Sequence, residues 1–161
     1  MVAETAAVIG SRPWHDMQFG AAILAAPLAW YVLSWMMPIV PVHLVWSHSH
    51  AGRMMVAILV YPVLEELVFR GWMQGEMRRL KWGRARLLAG MTRANVLTSL
   101  IFTACHFLTH SPLAASSVLI PSLIFGHFRD RYDADHIRWL AAPIGLHVWY
   151  NLGYFLLFTS I

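Results

Sequence analysis

Apolar residues run along this chain in long blocks, separated by short charged ones, and alternate nowhere over a useful length. A membrane-crossing helix needs about 20 mostly apolar residues. Five blocks approach that length: about 17–41, 54–76, 94–110, the shorter 113–128, and 139–161. The pattern predicts an all-α protein, a polytopic transmembrane helix bundle of about five spans. No repeat, low-complexity linker or second domain interrupts it, so residues 1–161 are expected to form one integral-membrane domain. Pro27, Pro62, Pro121 and Pro143 fall inside the blocks. A bundle tolerates them where neighbouring groups satisfy the carbonyls they free.

The charged segments orient the set. Residues 78–93 hold Arg78, Arg79, Lys81, Arg84, Arg86 and Arg93; residues 129–138 hold Arg129, Arg131 and Arg138; the first 16 residues hold Arg12. With five alternating spans these three segments share one side, and the other side has Arg53 alone. The basic side faces the cytoplasm by the positive-inside bias, which places the N-terminus inside. Residues 78–93 also suit an amphipathic helix lying on the surface. Residues 1–16 carry both signs, and the apolar run after them is longer than a signal peptide's. That run is expected to be kept as a span.

Composition sharpens the picture. Of 161 residues 58% are hydrophobic and only 12% charged, against about 25% charged in soluble domains; the mean hydropathy is +0.55. The isoelectric point near 9.7 would suit a nucleic-acid partner. The basic residues cluster between spans instead, and no nucleic-acid-binding motif stands out. Cys105, the single cysteine, excludes an internal disulfide.

Against this background, "YPVLEELVFRGW" (61–72) places Glu65, Glu66 and Arg70 inside an apolar block. Each such group costs about 2.5–3.5 kcal/mol to insert. Other polar candidates within the blocks are His106, His110, His127, His147 and Asn151. Glu66 and Arg70 are four apart and can pair on one helix face; Glu65 points about 100° away. Phe102 and His106, His106 and His110, and His147 and Asn151 repeat the four-residue spacing. At 1.5 Å per residue, Glu65, Glu66, His106 and Asn151 lie roughly 18–20 Å from the basic side, and His147 roughly 13 Å. Three spans thus put polar groups in one stratum of the bilayer. A carboxylate there can act as a general base on water. Histidine and asparagine donors can stabilise the oxyanion of a tetrahedral intermediate.

The ordered blocks "EELVFR" (65–70), "FTACH" (102–106) and "HVWYN" (147–151) resemble those of the CAAX protease and bacteriocin-processing (CPBP, or Abi) family, over about 54–161. The resemblance implies a glutamic-type intramembrane endopeptidase that needs no cofactor. Its substrate would be a membrane-anchored protein or peptide, of CAAX type or carrying a C-terminal sorting signal. It also implies that Glu65 activates the water, His106 holds or polarises it, and His147 and Asn151 stabilise the oxyanion. Glu66, Arg70 and Phe102 support them. The chain departs from the family's pattern in having one span before the first block. It also lacks a Gly-Ser lead-in before the last. A compact member in a bacterial inner membrane fits best.

Blander readings stand beside these. Glu66 with Arg70 also suits a register-fixing buried pair, and Asn151 suits interhelical hydrogen-bond glue. His106 and His110, with His147 and a carboxylate, have the residue types for zinc, which makes a zinc-dependent protease the first rival. A non-catalytic immunity or partner-binding protein is the second, and a proton-conducting bundle the third. His48 and His50 are expected in a solvated outer loop. Cys105 lacks the surroundings of a nucleophile.

Overall fold

The computed structural model describes residues 16–36, 48–87, 90–133 and 138–158. Arg12, residues 37–41 of the first expected span and residues 159–161 of the last lie outside them. Helix α1 is Met17–Met36. A continuous helical run from 48 to 79 follows. It is composed of α2 (His48–Met55), a wide π-turn segment π1 (Val56–Val60), α3 (Tyr61–Glu66), a second wide segment π2 (Leu67–Met73) and α4 (Gln74–Arg79). Then come α5 (Lys81–Arg84), α6 (Arg93–His106), α7 (Pro112–Ser117), α8 (Leu119–Arg131) and α9 (Arg138–Phe158). Among the described residues the regular elements are all helical, and the β pairing is an isolated bridge, Arg86 to Thr92.

Several boundaries differ from the sequence expectation. His48 and His50 lie in a helix, not a loop. The third block stops being helical at His106, where the Phe107 N–H bonds to the Ala104 and Cys105 carbonyls and turns follow. The fourth block is two helices, parted at Val118. Among the described residues of 78–93 no amphipathic surface helix runs through; α5 holds four residues, and Gly90 takes a positive φ of 74°. No helix among the described residues is long and apolar enough to cross a membrane.

Helix α9 packs against α8, α1 and the 48–79 run, while α6 packs against α8. Ala22, Ala26, Phe125, Phe128, Tyr132, Ala142, Leu146 and Tyr150 form the apolar core. Small residues set the approach distances. A Cβ on Gly153 would stand 2.0 Å from the Trp30 ring, so α9 meets α1 there only through glycine. A Cβ on Gly126 would stand 1.9 Å from Asn95 Oδ1. Asn95 is itself fixed by donating to the Leu123 carbonyl at 3.0 Å. Proline matters as well. Pro27 cannot donate to the Ile23 carbonyl four residues back, and the Trp149 indole N–H donates to it instead, at 3.0 Å.

The start of α1 is tied to the end of α8. Asp16 accepts from Arg131 Nε at 2.6 Å, from the Tyr132 hydroxyl at 2.8 Å and from the Gln18 N–H at 3.0 Å. Burial alone would raise the Asp16 carboxyl, but these donors outweigh it and hold it below its ordinary value. Burial and the bond to Asp16 push the Tyr132 hydroxyl up. A lowered carboxyl contributes stability above its unfolded value, and that contribution is lost as pH falls through the folded one. Asp16→Asn is therefore expected to cost about 2 kcal/mol near pH 7. The difference from wild type should shrink below pH ~4. Thermal unfolding in detergent across that range checks it; a gap that is independent of pH would assign the effect to packing.

The basic segments are more than topological charges. Arg129 is buried beneath the Trp139 ring, ion-paired with Asp133, and donates from Nε to the Arg70 carbonyl at 3.2 Å. Asp130 accepts from Arg78 at 2.7 Å, Gln74 at 2.8 Å and Thr92 at 2.6 Å. The Thr92 hydroxyl also caps α6 by accepting from the Asn95 N–H. This network fixes α4, α6 and α8 at one end of the bundle. A cavity of about 540 Å³ lies beside it, lined by Arg78, Arg79, Arg84 and Arg129 among others. Three of those arginines are paired with acids.

Candidate active site

The three motif blocks converge. Glu66 is fully buried. Its Oε2 lies 3.3 Å from Arg70 Nε and its Oε1 lies 2.9 Å from His147 Nδ1. The other ring nitrogen of His147, Nε2, lies 3.5 Å from Glu65 Oε2. His147 thus bridges the two glutamates. The four-residue spacing of Glu66 and Arg70 produces the pair expected on one helix face. Glu65, one position earlier, turns away from that pair, and its side chain is 33% exposed. One glutamate is locked inside the bundle while its neighbour is accessible from outside.

Arg70 is held from α8. It donates to the Ser122 hydroxyl at 2.6 Å and to the Ser122 carbonyl at 3.0 Å. The Phe102 ring lies under its guanidinium, 5.5 Å away. Phe102 also contacts Phe69, His106 and His147, with ring centroids 4.9, 4.4 and 5.9 Å apart. It is the apolar hub that the second block supplies.

Hydrogen bonds orient both histidine rings. His106 Nδ1 lies 2.9 Å from the Phe102 carbonyl. A carbonyl only accepts, so Nδ1 carries a hydrogen, and in the neutral ring Nε2 is left as the acceptor. Both nitrogens of His147 face carboxylate oxygens, and an ionised carboxylate only accepts. The Arg70–Glu66 pair fixes the Nδ1 side of the imidazole and leaves Nε2 facing Glu65 at 3.5 Å. A base oriented by a second group, itself fixed by a third, is a common arrangement in catalysis.

Other candidates sit differently. The His106 and His110 rings are 5.4 Å apart, but His110 lies in the turn after α6, exposed and bonded to Thr109. Both are within electrostatic reach of Glu65. His127 faces away from the site and meets Gln18 of α1 at 3.0 Å. Asn151 reaches neither glutamate; its amide donates to the Ala57 carbonyl at 3.2 Å. Cys105 is exposed. Among the described residues, no group of three or more His, Cys, Asp or Glu is placed to hold a metal ion.

Two contributors escaped the sequence reading. Phe125 stacks on the His147 ring, centroids 4.9 Å apart, and Ser122 anchors Arg70. A signal for both existed. Ser122, Phe125, Gly126 and Arg129 stand at i, i+3, i+4 and i+7, the spacing of one buried helix face, and all four are buried.

The paired glutamates and two histidines that three helices bring together lie within the stretch matched by the model of a family of CAAX-type proteases, a class of hydrolase. The chain belongs to the Type II CAAX prenyl endopeptidase Rce1-like family, whose family model matches residues 46–153 and so takes in all three blocks. No curated protein and no solved structure matches the chain.

Proposed function

We propose that the chain is a glutamate-dependent intramembrane endopeptidase that hydrolyses a peptide bond in a membrane-anchored, CAAX-type protein substrate. The observation that carries this reading is the division of labour between the glutamates. Glu66 is spent on Arg70 and His147, whereas Glu65 is accessible and has His147 Nε2 at 3.5 Å. Glu65 takes the proton of the attacking water. His106 accepts the water's second hydrogen at Nε2 and aims it. The scissile carbonyl oxygen becomes an oxyanion, and His147 Nε2–H is the donor nearest Glu65. A proton on His147 Nε2 can serve that oxyanion while Glu65, ionised, acts as the base. Glu65 then returns a proton to the leaving amine. Asn151, expected from the sequence as the second oxyanion donor, is turned to Ala57 instead. No cofactor is required.

In this reading the protein sits in a membrane, in a bacterium the inner one, as about five spans with a cytoplasmic N-terminus. Two features support that. Large apolar side chains such as Leu24, Leu28, Trp35, Tyr61, Leu64 and Trp72 are exposed, a surface that soluble monomers rarely present. The helical run 48–79 is unbroken, and at 1.5 Å per residue it reaches roughly 45 Å, enough for a bilayer as a composite of shorter elements.

The test is cleavage of membrane-anchored peptides, with and without a prenylated C-terminal cysteine motif, by purified protein in detergent. Cleavage is expected to persist in a strong chelator. Loss that zinc restores would move His106 and His110 into a ligand sphere. Protection of cells against a bacteriocin by a variant without Glu65 would favour the immunity role.

A further inference from the structure

Two prolines each deprive a carbonyl of its backbone donor, and α9 supplies both replacements. For Pro27 the orphan is the Ile23 carbonyl, taken by Trp149. For Pro62 the wide turn matters. The Tyr61 N–H bonds five residues back, to the Val56 carbonyl, as π geometry dictates. The Ala57 carbonyl thereby loses Tyr61, its α-type donor. Its π-type donor would be residue 62, and proline has no N–H. Asn151 Nδ2–H fills the vacancy at 3.2 Å. A carbonyl shielded from water and left without a partner is costly, so the side chain is answering a need that the backbone creates.

This bond sits one turn of α9 from His147 and about two turns of the 48–79 run from Glu65. Asn151 follows His147 by four residues on α9, and Ala57 and Pro62 precede Glu65 by eight and three residues on the 48–79 run. The contacts Asn151–Ala57 and His147–Glu66 therefore join the same two helices at neighbouring levels. We propose that Asn151 is a positioning residue. It acts through the Ala57 carbonyl to hold π1, and α3 continuous with it, against α9, so that Glu65 and His147 meet. This departs from the direct oxyanion role that the family resemblance implies, and its activity arm rests on the protease reading.

A double-substitution cycle tests it. Pro62→Ala returns an N–H to position 62, which lets the backbone satisfy the Ala57 carbonyl without Asn151. Asn151→Ala should lower kcat/KM about tenfold or more with Pro62 present, but only about threefold when combined with Pro62→Ala. Deuterium uptake by the amides of residues 56–66 should follow the same pattern, rising about tenfold only in the Pro62 background. An equal loss of activity in both backgrounds, with exchange unchanged, would overturn the proposal and return Asn151 to the oxyanion. If the wild type cleaves none of the peptides offered, the protease reading is what suffers, and the exchange measurements still decide. If Asn151→Ala does not fold alone, the doubly substituted protein must fold; failure of both also overturns the proposal.

Discussion

Glu65→Gln is expected to give a folded protein whose kcat/KM is lower by about 10²–10⁴-fold, the usual contribution of a positioned general base. The substitution keeps the size of the side chain and one oxygen for the contact with His147. It removes the ability to take a proton. Stability should change little, because Glu65 is partly exposed and meets His147 only at 3.5 Å. The expected signature is an unchanged melting temperature with lost turnover. Glu65→Gln with activity within tenfold of wild type would move the base to His106 or Glu66. His106→Ala should lose less than Glu65→Gln, since aiming the water is a smaller contribution than deprotonating it.

Arg70→Ala is expected to be the most damaging change to stability. It removes the 3.3 Å ion contact to Glu66 and both bonds to Ser122. It leaves Glu66 buried with only His147 beside it. Stranding a buried charge in this way costs about 3–5 kcal/mol. For a chain of this size that lowers the melting temperature by about 10 °C or more. Activity should fall as well, because Glu66 would no longer hold His147 for Glu65. The pairing can be separated from the cavity by adding Glu66→Gln to Arg70→Met. That double variant removes both charges and should recover about half of the lost stability. A single Arg70→Ala variant within about 1 kcal/mol of wild type would mean that the pair is no more than a surface-like contact.

Much of the site was legible along the chain. A four-residue spacing fixes a shared helix face by geometry alone, so the Glu66–Arg70 pair followed from the sequence. So did the contact of Phe102 with His106. Other parts depended on partners distant in the chain. His147 has the same spacing to Asn151 whether it faces an oxyanion or two carboxylates. That it lies between Glu65 and Glu66, while Asn151 turns to Ala57, follows from how α9 meets the 48–79 run. The wide turns in that run were likewise hidden. Their hydrogen-bond shift leaves no pattern in apolar residues, and Pro62 alone signals a missing donor without naming what replaces it. Arg129 read as a loop charge because charge is visible in sequence and burial is not. It lies in α8, under Trp139 and against the Arg70 carbonyl.

By itself, the sequence determined the all-helical class, the three blocks and the residue types available for chemistry. These depend on local periodicity and composition, which the chain carries at every position. The tertiary structure decided which glutamate is locked and which is accessible, because Glu65 and Glu66 are chemically identical and differ only in what packs against them. It also decided which carbonyls proline leaves open and which side chains close them, since a hydrogen-bond partner 94 residues away is set by packing and not by spacing.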